Sequence, residues 1–66
     1  MKKKELKRLA EKIAKCEYII QTSSDKDAIR RAQDDIFMLS GQVDSLEDIT
    51  IIDELIQDIM ADLLDS

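Results

Sequence analysis

The chain has no histidine, no proline and no tryptophan, and only one cysteine and one glycine among its 66 residues. Without histidine there is no Cys/His zinc cluster, no Glu-x-x-His pattern for a metal pair inside a helix bundle, and no imidazole to activate a serine or cysteine nucleophile. A single cysteine cannot form an internal disulfide and suits a reducing compartment, so the expected location is cytoplasmic. Two aromatics, Tyr18 and Phe37, are too few to build a base-stacking platform. No apolar run approaches the roughly 20 residues of a membrane span. The opening Met1-Lys2-Lys3-Lys4 has the charge of a signal-peptide start, but Glu5-Leu6-Lys7-Arg8 follows in place of an apolar segment, and the signal reading fails. Acidic pairs occur at Asp34-Asp35, Asp44 with Asp48, and Asp58 with Asp62, without calcium-loop spacing. The sequence therefore leads us to expect no catalytic residues, no cofactor, no metal site and no small-molecule substrate.

What is present is helix-forming material, 44% apolar and dominated by Leu, Ile, Ala, Lys, Asp and Glu. Such a short chain, read as a single helical domain, buries only about 60% of the surface that its unfolded form exposes. With disulfide and zinc closed, good helix packing or self-association must supply the rest.

Periodicity predicts three helices, at about 3–22, 25–40 and 45–64. The first carries Leu6, Leu9, Ile13, Cys16 and Ile20, a 3-4-3-4 seam narrow enough for one neighbour. Cys16 on that seam reads as a small buried hydrophobe. Ser24 with Asp27 reads as a capping box opening the second helix, whose seam is Ile29, Ala32, Ile36 and Leu39. Gly41 sits where a left-handed C-terminal cap is expected. Asp44 or Ser45 caps the third helix, with Glu47 or Asp48 at the matching position. The third helix is apolar over half its circumference, which calls for two partners at once. Short loops favour an all-α, up-down-up three-helix bundle, with self-association as a means of completing its core.

Charge is segregated along the chain. Residues 1–15 carry +5, residues 16–43 carry −2, and residues 44–66 hold eight acids and no base. Lysines at the start of the first helix and Asp62 and Asp65 at the end of the third oppose the helix dipole. In an up-down-up bundle those clusters lie at opposite ends, and a second, antiparallel chain is what could pair them.

Three functional expectations follow. Tyr18, Ile19, Phe37, Met38 and Ile51 lie off the seams or at their margin and are candidates for contact with another chain, or for a wider core. They support a non-enzymatic protein–protein interaction or assembly module, with a homodimer as its expected form. Asp58 and Asp62 support an alternative, a small acidic regulator or inhibitor docking its third helix on a basic protein surface. Lys2, Lys3, Lys4, Lys7 and Arg8 support a third, contact with phosphate in nucleic acid or at a membrane surface. DNA is not an expected partner, because the helix in the recognition position carries acids alone.

Overall fold

The computed structural model describes residues 2–65, which form three helices: α1 (Lys3–Thr22), α2 (Lys26–Ser40) and α3 (Leu46–Asp65). Together they make a small all-α three-helix bundle in which α1 packs against both α2 and α3.

The helix ends explain the boundaries. At the start of α1 the Glu5 carboxylate accepts the Lys2 N–H at 3.4 Å, which is half of a capping box, since a lysine side chain cannot accept in return. At its end Ser23 turns extended, with φ −83° and ψ 144°, while its N–H still donates to the Ile19 carbonyl at 2.8 Å. The Ser23 Oγ then accepts the Asp25 N–H at 3.1 Å, and Asp25 Oδ1 accepts the Asp27 N–H at 3.0 Å. Asp25, not Ser24, is therefore the cap of α2. A carboxylate accepts more strongly than a hydroxyl and complements the dipole at that end. Between Asp44 and Ser45, the start of α3 selects Ser45, whose carbonyl accepts the Ile49 N–H at 3.0 Å.

Gly41 departs from expectation more sharply. It is right-handed, φ −67° and ψ −13°, and no described residue has a positive φ. In place of a left-handed cap, the Gln42 and Val43 N–H groups donate to the Leu39 and Ser40 carbonyls at 3.1 and 3.2 Å. These tighter turns satisfy the last carbonyls without left-handed backbone.

The larger correction concerns which helix serves two neighbours. The large residues of α1 suggested one partner, yet α1 is the central helix. Ala10 and Ala14 are fully buried, beside Leu6, Leu9 and Ile13. They widen the seam into two stripes. Positions 3, 7, 10 and 14 share one side of the helix by their 4-3-4 spacing, and Lys3 and Lys7 there line recesses shared with α3. Leu9 and Cys16, seven apart, share the other side and line recesses shared with α2. Methyl side chains let a neighbouring helix approach closely, so a stripe containing alanine can be an interface though it looks blank in a search for large apolar residues.

The third helix, expected to meet two partners, packs within the chain on α1 alone. Among the described residues no Cα of α2 comes within 8 Å of one in α3. Ile52, Ile56 and Met60 of α3 are buried with the α1 residues in one core, and Ile36, Leu39 and Val43 pack against it from the other side. Leu55, Ile59 and Leu63 pack against that core half-buried, and Leu46, Ile49, Ile51 and Leu64 are left exposed.

Two stability outcomes follow. Gly41→Ala is expected to stabilise the fold by about 0.4–1 kcal/mol, since the unfolded chain loses freedom and the added Cβ meets only ordinary contacts at 3.5 and 3.6 Å; a lowered thermal midpoint would contradict the right-handed turn. Ala10→Leu is expected to cost about 1–3 kcal/mol by overpacking, read from urea unfolding, and an unchanged midpoint would mean that Ala10 is not at a closed interface.

Candidate functional site

The separation of α2 from α3 leaves a groove over α1. Ile13 forms its floor, Ile36 and Val43 one wall, and Ile49, Ile52 and Ile56 the other. Its volume is about 210 Å³. Drug-sized ligands occupy roughly 300–1,000 Å³, so this space suits inserted side chains better than a small molecule. Ile49 shows how open the groove is. It stands three residues before Ile52 and seven before Ile56, on the face of α3 that is buried further along, yet it remains 40% exposed. The three charged or polar side chains at the groove are Glu17, Asp53 and Ser40.

Other large apolar residues border this face. Phe37, 83% exposed, precedes Ser40 by three positions and so shares the groove side of α2. On α3, Leu46 precedes Asp53 by seven residues and is 82% exposed. Leu64, also exposed, lies eighteen residues after Leu46, a whole number of helical turns. Leu46, Ile49 and Leu64 were read from the sequence only as part of the broad α3 arc. Their exposure was not visible there, because it depends on α2 standing away from α3.

The structure divides the candidate residues among different surfaces. Tyr18 is half-buried and packs against the core, which makes it part of the wider core of α1. Ile19 is exposed on α1. Met38, though adjacent to Phe37, lines a recess with Cys16 and Asp35 between α1 and α2. Ile51 lines a recess between α1 and α3 with Lys3, Leu6 and Leu55. Met38 and Ile51 therefore stand at seams away from the groove, and only Phe37 of the apolar candidates borders it.

The lysine run is also divided. Lys2, Lys3, Lys4, Lys7 and Arg8 are all exposed. Lys3, Lys4 and Lys7 line the α3 side, whereas Arg8 lines a recess on the α2 side with Leu39 and Gln42. The recess containing Lys3 also contains Asp48, Glu54 and Asp58 of α3. Lys3 thus shares a recess with acids from the first half of α3 within one molecule, while Asp62 and Asp65, at the other end of α3, are not among its lining residues. Asp62 is exposed beyond that recess.

Cys16 is half-buried, less enclosed than its seam position implied. Burial pushes its thiol above the ordinary value, and the nearby Asp35 charge adds to the effect. Lys12 and Lys15 line the same recess without reversing that direction. Among the described residues, no group of three His, Cys, Asp or Glu side chains is placed to hold a metal ion. No described helix is long and apolar enough to cross a membrane.

Comparison with protein families, with curated proteins and with solved structures finds no match to this chain.

The thiol gives a direct check on the α1–α2 seam. Alkylation of Cys16 is expected to accelerate with pH around a midpoint above that of a free thiol. Asp35→Asn is expected to lower the midpoint only part of the way, because burial is the larger cause. A midpoint at or below that of a free thiol would place Cys16 in a more open or more cationic setting.

Proposed function

We propose that this protein is a helical protein–protein interaction module that self-associates through the face bearing the α2–α3 groove. One observation carries this reading: the groove lined by Ile13, Ile36, Ile49, Ile52 and Ile56 is open, with Ile49 40% exposed in it and Phe37 and Leu46 exposed on the helices that flank it. Single exposed apolar residues are ordinary on protein surfaces, whereas several gathered about an apolar groove favour a contact surface. The core gives a thermodynamic reason for association. Among the described residues only nine apolar ones are buried, three of them alanines, so covering Ile49 and its neighbours would add burial that the single chain lacks.

The intramolecular meeting of Lys3 with the α3 acids weakens the case for the lysine run as a phosphate-binding surface, because nearby carboxylates offset its potential. Asp58 shares that recess, which likewise tempers the reading of α3 as an acidic docking helix.

Light scattering across a concentration range tests the reading. The wild-type chain is expected to gain mass with concentration, and Phe37→Glu to shift it toward monomer. Because Phe37 is so exposed, that substitution should change single-chain stability by no more than about 0.5 kcal/mol. Ile51→Glu, away from the groove, should leave the association in place. A wild-type monomer at every concentration would overturn the proposal, as would equal sensitivity to the two substitutions.

A further inference from the structure

Resting on that reading, we propose a specific occupant for the groove: α2 of a second copy of this chain, placed by a two-fold axis that puts each α2 into the other's groove. The exposed side of α2 carries the necessary stripe. Lys26, Arg30, Gln33 and Phe37 are all exposed and follow a 4-3-4 spacing, so they line one face of the helix. At 1.5 Å per residue, Arg30 lies about 10 Å and Lys26 about 16 Å from Phe37 along the axis. The stripe therefore combines one large apolar side chain with two positive charges. Asp34 borders it on the side away from Ser40.

The groove offers the complement: an isoleucine-lined trough for Phe37, with Glu17 and Asp53 as its charged members, both acidic. Apolar matching alone would fit many helices; the two signs favour one carrying basic residues beside its apolar anchor. This chain carries such a stripe on the exposed side of α2, the helix whose Ile36 and Ser40 line the groove. An isologous pairing uses it twice, since any contact of Arg30 with the partner's Asp53 is repeated in the reverse sense.

The molecule is flat, with extents of 34 × 26 × 16 Å, and its two longer extents bound a rectangle of about 880 Å². A standard stable interface takes about 800 Å² from each partner. A stable dimer would therefore need most of one side of so small a molecule, as a face-to-face pairing of two copies would give.

A charge exchange tests this arrangement. Arg30→Glu and Asp53→Lys are each expected to weaken the dimer by about tenfold or more, measured by sedimentation equilibrium at low salt, and the double variant to recover most of the loss. Both positions are exposed, and helical circular dichroism should be unchanged in all three variants. A wild-type dimer indifferent to either single change would overturn the α2-in-groove arrangement while leaving self-association standing. Singles that weaken it without recovery in the double variant would also overturn the pairing. A monomeric wild type would overturn both proposals. If the monomer instead bound a basic amphipathic helical peptide, with Asp53→Lys abolishing binding, the groove would belong to a foreign partner and not to a second copy.

Discussion

The packing of two helices on α1 is the constraint on which the rest of the structure depends. In a chain without disulfides or a zinc cluster, stability must come from helix contacts, and α1 supplies two interfaces by alternating large and small residues. Leu6, Leu9 and Ile13 fill space, while Ala10 and Ala14 yield it. With α1 occupied on both sides, α2 and α3 are held apart, and the apolar residues that would have joined them line an open groove. The same contact that makes the fold possible thus leaves part of its apolar surface exposed.

Electrostatics separates the groove from the remainder of the surface. Along the α1–α3 seam, Lys3 shares a recess with Asp48, Glu54 and Asp58, so opposite charges lie near one another inside one molecule. At the groove the two charged side chains among the isoleucines, Glu17 and Asp53, are both acidic. Exposed pairs of the first kind are screened by salt and contribute little to stability. Charges at the edge of an apolar interface matter differently: they steer encounter and penalise the wrong partner, while burial of the apolar centre supplies most of the affinity.

Much of the local structure was legible from the residues, and the neighbour relations were not. Three helices followed from a repeating apolar period broken at Ser23–Asp25 and again around Gly41, since amphipathic periodicity is a property of short segments. The detailed caps were less secure. Ser23, Ser24 and Asp25 can each turn a side chain toward a backbone N–H, and only the backbone path decides which does. Gly41 permits a left-handed turn without requiring one. The assignment of a single neighbour to α1 failed because it weighed large residues alone. Alanine contributes little apolar area but controls how near a second backbone can come, and a wheel of large side chains cannot register that.

The candidate site shows the same division. Phe37 stood out as an apolar residue away from the α2 seam, and it borders the groove. Tyr18 stood out equally and joins the core, while Met38 and Ile51 lie at other seams. Period alone places a residue on a face of its own helix, without saying what that face will meet. By itself, then, the sequence determined the helical class, the approximate helix positions, the segregation of charge and a surplus of apolar surface, because each is set within a few turns of chain. Tertiary structure alone decided that α1 is central, that α2 and α3 stand apart, and that Ile49 and Phe37 border one groove. Those outcomes depend on how closely helices distant in sequence approach one another, and that distance is a collective result of packing.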